Sequence, residues 1–325
     1  MPPLLHHAPA SDGARIAWTS RGRGAPPILL TDGIGCAGYI WRGLAPELAR
    51  TRRVLHWNYR GHGRSDPPLD LTSATVDACV DDLLAVLDAA GEDRAVLAGH
   101  SMGVQIVLEA HRRAPHRVSG LVLVCGAPGR VLDTFHDSRL LGRVFPLARA
   151  LFDRWPHTAA TGFRAIVKSE LAMEYALAFE VNRALVRRDD LQAYFDDLAQ
   201  VNAPVFVRLL QSAALHDATD HLRRIRVPAL VLAGERDGFT PMRLSVAMHE
   251  AIRGSELLVL PGGTHVAPLE HPALVSEKIR AFLAERCPVR RAPARKPARR
   301  RAKGAAAGRS RPARRTRTAR ARRPR

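Results

Sequence analysis

The sequence predicts an α/β fold: a mostly parallel, doubly wound sheet, interrupted by a helical insertion and followed by a disordered basic tail. Three observations point there. Short apolar runs alternate with amphipathic helical periods, the order that builds a parallel sheet covered on both faces. The alternation stops between about Gly129 and Arg224, where helical periods dominate, and then resumes. From Pro288 to Arg325 there are 17 Lys and Arg and no Asp or Glu, and Val289 is the one large apolar side chain. Such a stretch has nothing with which to bury a core.

The elements follow in chain order. Arg15–Thr19 reads as a strand, and Pro27–Leu30 is a short apolar run ending in the turn Asp32-Gly33-Ile34-Gly35. Arg53–Trp57 is a strand closed by Arg60-Gly61-His62-Gly63-Arg64-Ser65. Val76, Val80, Leu83, Leu84 and Leu87 recur at helical spacing between Thr75 and Ala90, and Gly91 ends that helix. Arg94–Ala98 is a strand and Met102–Arg113 a helix stopped near Pro115. Val118–Val124 is nearly all apolar, as a strand buried on both faces should be. The insertion holds most of the aromatics (Phe145, Phe152, Trp155, Phe163, Tyr175, Phe179, Tyr194, Phe195, Phe206), read mainly as its own core with one or two facing a pocket. After it come the strand Ala229–Ala233, the helix Met242–Ile252, the strand Glu256–Leu260 and the helix Pro272–Glu285. The expected organisation is a core of 1–128 and 225–287, a helical cap of 129–224 and the tail 288–325.

With 46% hydrophobic and 25% charged residues, the chain is an ordinary globule rather than a disordered or collagen-like one. The net charge of +19 belongs to the tail, since 33 basic residues face 31 acidic ones in the body. No run of 18 apolar residues suggests a membrane span, and Met1–Asp12 lacks the pattern of a secretory signal. Cys36, Cys79, Cys125 and Cys287 form no CxxC pair, so they read as small buried hydrophobes in a reducing cytoplasm. His6, His7, His111, His116 and His271 have no ligand spacing, and no metal or cofactor is expected.

Gly99-His100-Ser101-Met102-Gly103 matches G-x-S-x-G. A serine on a tight strand-to-helix turn needs small neighbours for the turn to close. Three fixed positions arise by chance in roughly one chain in ten of this length. The context is the stronger signal: the motif follows the apolar Ala95–Ala98 and opens an amphipathic helix. A serine hydroxyl needs a base near neutral pH, and the base needs a carboxylate to fix its tautomer. Asp237 lies 136 residues beyond Ser101, and His265 a further 28, each just after a strand. Strand ends of a parallel sheet share one edge, so these positions can converge. Glu235 is the rival acid, and Asp237 could instead serve as a turn or cap residue.

On these segments the body resembles the α/β-hydrolase fold proteins, in the grouping of esterases, lipases and cofactor-free haloperoxidases. Thr31–Gly35, Arg60–Ser65, Gly99–Gly103, Gly234–Asp237 and Gly262–His265 occur in the family's order. The resemblance implies a catalytic triad of Ser101, Asp237 and His265, with the amides of Met102 and Ile34 as the oxyanion hole. It also implies hydrolysis of a carboxylic ester or related acyl compound through an acyl-enzyme on Ser101. The same triad could serve an acyltransferase or a cofactor-free peroxidase. A further alternative is a non-catalytic scaffold. The chain departs from the family at Asp32, where the loop usually begins His-Gly. A carboxylate pointing inward there would oppose a developing oxyanion; one bonded to the loop backbone would not. Trp41 and His100 are candidate pocket residues, as are Cys36 and Tyr39, while His62 and Asp66 read as scaffold. The expected ligand is a small acyl molecule. The tail suits nonspecific nucleic acid or another anionic polymer, bound by counterion release, and it has no aromatic to stack on bases.

Overall fold

The computed structural model describes residues 3–289. All but the first two residues of the basic tail lie outside that range. Eight strands form one sheet: β1 (Leu4–Pro9), β2 (Arg15–Arg21), β3 (Ile28–Thr31), β4 (Val54–Trp57), β5 (Ala95–His100), β6 (Val118–Val124), β7 (Ala229–Gly234) and β8 (Glu256–Leu260). Their spatial order is β1-β2-β4-β3-β5-β6-β7-β8. β1 and β2 run antiparallel to their neighbours, and every pairing from β4 through β8 is parallel.

The central strands β3, β5 and β7 are buried at every position because both faces are covered. The side-chain period of two separates Leu29, Leu55, Leu97, Leu121 and Val231 on one face from Ile28, Leu30, Val96, Ala98, Val122 and Leu230 on the other. The first face packs against the helices α2 (Val76–Ala89) and α3 (Met102–Arg113), through residues such as Leu83 and Val107. The second packs against α1 (Leu44–Leu48) and the last helix, Pro272–Arg286, through Leu48, Ile279 and Phe282. β1, which the sequence reading does not predict, adds an edge by pairing Leu4–Pro9 with Arg15–Ser20, and His6 stacks on Trp18.

Between β6 and β7 the chain forms α4 (Leu140–Arg154), α5 (Pro156–Val167), α6 (Glu170–Tyr175), α7 (Arg188–Gln200) and α8 (Ala203–Leu215). Val167, Leu198 and Ala199 form a small core there with Phe163, Phe195 and Phe206. Three of the expected core aromatics are instead largely exposed: Trp155 and Tyr175 are each 53% and Phe179 68% exposed. The remaining helices are α9 (Met242–Ala251), α10 (Ala267–Glu270) and α11, the last helix named above.

The chain leaves β3 toward β4 on one side and later returns to β5 on the other, so the strand order reverses at β3. In open parallel sheets the crevice at such a reversal, beyond the carboxyl ends of the strands, is where ligands bind. Within the core Arg60 and Asp82 form a fully buried bidentate pair, with Nε–Oδ2 at 2.9 Å and Nη2–Oδ1 at 2.7 Å. Removing one partner of such a pair strands a charge in the core. Asp82→Ala is therefore expected to lower the unfolding free energy by about 3–5 kcal/mol, read by urea denaturation. A change under about 1 kcal/mol would contradict it.

Candidate active site

β5 ends at His100 and α3 begins at Met102, which leaves Ser101 alone on the turn with φ 56° and ψ −122°. Positive φ is strained for a residue with a Cβ. Two glycines make the turn sterically accessible. A Cβ on Gly99 would lie 2.3 Å from the Gly103 carbonyl oxygen, and one on Gly103 would lie 2.6 Å from the carbonyl oxygens of Thr31 and Asp32. The turn therefore closes only with bare backbone on both sides. It projects the Ser101 hydroxyl beyond the sheet, at the positive end of the α3 dipole.

His265 follows β8, and its Nε2 lies 2.9 Å from Ser101 Oγ. Its Nδ1 lies 3.0 Å and 3.1 Å from the two carboxylate oxygens of Asp237, in the turn after β7. Three residues 164 and 28 positions apart in the chain thus form one connected line. Asp237 also accepts the amides of Phe239 and Thr240 and the Thr240 hydroxyl, each at 2.9 Å. Burial pushes this carboxyl up, but the attraction of His265 and these hydrogen bonds outweigh it and hold the group below its ordinary value. It is poised as an anion that orients the imidazole. Glu235, the rival acid, instead accepts the amide of Gly262 at 2.6 Å.

The loop after β3 lies against the serine. A Cβ on Gly33 would come within 3.0 Å of Ser101 Cβ and 3.5 Å of its Oγ. Among the described residues, the amides of Ile34 and Met102 donate no hydrogen bond within the protein. Asp32 follows neither course considered for it in the sequence: it turns to β4, where its Oδ2 lies 2.7 Å from His56 Nε2.

His100 Nε2 donates to the carbonyl oxygen of His265 at 2.9 Å. Burial and the nearby His265 push His100 down to about 3, so it stays neutral. It borders the cavity, as do Cys36 and Tyr39. Trp41 does not: it is buried behind His100, edge-on to that ring at 6.3 Å between centroids. His62 is buried, with Nδ1 donating to the Arg60 carbonyl at 3.1 Å, and Asp66 pairs with Arg15 at the surface.

Ser101 and His265 open into a cavity of about 670 Å³. Its walls are mostly apolar and aromatic, with Tyr175, Tyr194, Phe195 and Leu171 from the insertion and Phe239 and Val266 from the sheet side. Several contributors lie beyond the sequence reading. Phe239 stacks on the His265 ring at 4.7 Å and 24°. Glu270 braces the His265 loop by accepting the Thr264 amide at 2.6 Å, the Thr264 hydroxyl at 2.8 Å and the Asn182 amide at 2.8 Å. Only the GFTP stretch beside Asp237 could have hinted at Phe239 from sequence; Glu270 leaves no local signal. Among the described residues no three His, Cys, Asp or Glu side chains are placed to hold a metal ion, and no helix is long and apolar enough to cross a membrane.

The chain is similar to known proteins. The profile of a family described as "alpha/beta hydrolase fold" matches residues 26–272. The chain is 32% identical over 276 residues to the polyketide synthase ThaQ of Burkholderia thailandensis, covering 84% of this chain but 12% of that much longer protein. It is 28% identical over 275 residues to the 2-hydroxymuconate semialdehyde hydrolase of Pseudomonas sp. strain CF600, covering 80% of this chain and 87% of that enzyme. A hydrolase structure from Pseudomonas aeruginosa superimposes with a TM-score of 0.68 at 25% identity, covering 87% of this chain and 99% of the other.

The buried histidines set a pH dependence. His100 is pushed down to about 3; His62 is pushed down to about 4 by burial, and His111 to about 4 by burial and by His221 beside it. Each folded value lies below the ordinary 6.5, so between the two the unfolded chain binds more protons. Their contribution is complete above about pH 6.5 and is lost as pH falls toward 4 and 3. The melting temperature is expected to fall by about 5 °C or more between about pH 7.5 and pH 5. A scan by circular dichroism that shows no fall would contradict it.

Proposed function

Because the chain belongs to the α/β-hydrolase fold family and is an α/β-fold hydrolase, we propose that it cleaves carboxylic esters or related acyl compounds through an acyl-enzyme on Ser101. The observation that carries this reading is the unbroken line from Ser101 Oγ through His265 to the Asp237 carboxylate. His265 takes the serine proton as Oγ attacks the carbonyl carbon. Asp237 holds Nδ1–H toward itself and stabilises the imidazolium that forms. The amides of Met102 and Ile34 receive the oxyanion, the type of interaction that contributes a few kcal/mol to such reactions. His265 then protonates the leaving alcohol, and a water deprotonated by His265 attacks the acyl carbon and releases the acid.

Helices 129–224 act as the cap that sets acyl size. The walls they supply favour an uncharged aliphatic or aromatic acyl group over a polyanion. Four free, buried cysteines support a reducing cytoplasmic setting. The 288–325 stretch, rich in Arg and free of acid, suits nonspecific binding of nucleic acid or another anionic polymer and does not enter the chemistry.

Ser101→Ala is expected to lower kcat on nitrophenyl esters at least about 10⁴-fold, with the fold retained. Across a series of acyl chain lengths, activity should rise with apolar size until the cavity is filled. Turnover that survives the substitution would overturn the assignment.

A further inference from the structure

The Asp32–His56 pair stands apart from the relay of Ser101, His265 and Asp237, and the proposed reaction leaves it without a task. Asp32 is 1% exposed, and Oδ2 meets His56 Nε2 at 2.7 Å while Oδ1 is buried without a hydrogen-bond partner. A buried carboxylate with a single contact depends heavily on that contact. Its place in the chain makes this matter. Asp32 directly precedes Gly33, which lies against Ser101, and Ile34, whose amide is a proposed oxyanion donor. The main chain of Asp32 is fixed as well: its carbonyl accepts the Tyr59 hydroxyl, and Gly103 packs against it.

His56 sits on β4 opposite Leu30 of β3 and reaches both ends of the loop that follows β3. Its Nε2 meets Asp32 at the start, and its Cε1 lies 3.0 Å from where a Gly38 Cβ would be, near the end. The same loop is tied to α7 by Asp197, whose carboxylate accepts the Ala37 amide at 3.0 Å. Burial raises the Asp197 carboxyl above its ordinary value, and the nearby Asp32 adds to this. Two carboxylates thus face one short loop that must accommodate a developing negative charge, and the imidazole of His56 is what meets Asp32.

We propose that His56 is a positioning residue for the oxyanion loop, giving the buried Asp32 carboxyl its one hydrogen-bond partner and holding Gly33 and Ile34 in place against Ser101. The pair does two things at once. It turns the Asp32 carboxyl toward β4, and it links the loop to the sheet through a short hydrogen bond. Without the imidazole the carboxylate would be stranded beside the oxyanion donors, raising the energy of the transition state more than that of bound substrate. The inference rests on the acyl-enzyme reading above, and its test separates the two.

The variants are His56→Gln, Asp32→Asn and the double substitution, assayed with 4-nitrophenyl butyrate beside the wild type and Ser101→Ala. His56→Gln is expected to lower kcat about tenfold or more with KM within about threefold, because the donors remain but face an unpaired charge. Asp32→Asn removes the charge but keeps an oxygen that can accept from His56, and should cost less activity than His56→Gln does. The double variant should regain the activity that His56→Gln loses. A side chain needed only for packing would not be rescued by a change at residue 32. A double variant as slow as His56→Gln, or Asp32→Asn as slow as His56→Gln, overturns the proposal. Thermal unfolding gives a reading that needs no turnover: His56→Gln lowers the melting temperature and the double variant recovers it, and a failure to recover counts against the proposal. If the wild type turns over no ester through Ser101, the hydrolase reading falls, while the melting series still decides the fate of the pair.

Discussion

Everything at this site depends on holding one residue in a backbone conformation it would not choose. Ser101 sits at φ 56° because β5 must end and α3 must begin with no room between them. Strain of that kind typically amounts to about 1–3 kcal/mol and persists only where the surroundings over-determine it. Here the surroundings are β5, buried at every position, and α3, whose first turn lies against Thr31 and Asp32. A side chain at residue 99 or 103 would collide with main chain, so the glycines are steric requirements of the turn. In return the hydroxyl stands clear of the sheet beside the loops that follow β3, β7 and β8.

The electrostatics follow from that position. Asp237 is kept ionised by His265, two amides and a hydroxyl despite its burial, and His100 is kept neutral beside it. Phe239 stacks on the His265 ring between the carboxylate turn and the cavity. The supports come from different parts of the chain. Glu270 ties the His265 loop to Asn182 of the insertion, and Asp197 of α7 ties the loop after β3 to the same insertion. The segment that walls the cavity therefore also fixes two of the three loops that carry the site.

Much of this was legible in the sequence because it rests on local signals. Met102–Arg113, Val118–Val124 and Glu256–Leu260 have the bounds their periodicity and punctuation predict. Ser101, Asp237 and His265 stand out because each follows an apolar run that must be a buried strand, and the structure brings all three together. What escaped is tertiary. Leu4–Pro9 shows no alternation and ends in proline, so only its pairing with β2 makes it a strand. The partner of Asp32 is set by the β3–β4 register, and nothing local joins residue 32 to residue 56. Trp41 resembled a pocket wall by its nearness to the loop, yet its large apolar ring is better satisfied in the core behind His100. The exposure of Trp155 and Phe179 likewise depends on how the insertion's helices turn, which helical spacing alone does not define.

The most direct test of the central claim is covalent trapping. The full chain is incubated with a fluorophosphonate, digested and mapped by mass spectrometry. One phosphonyl adduct on Ser101, absent when His265 is replaced by alanine, is the predicted result. An unmodified Ser101, or an adduct on another residue, would contradict the account.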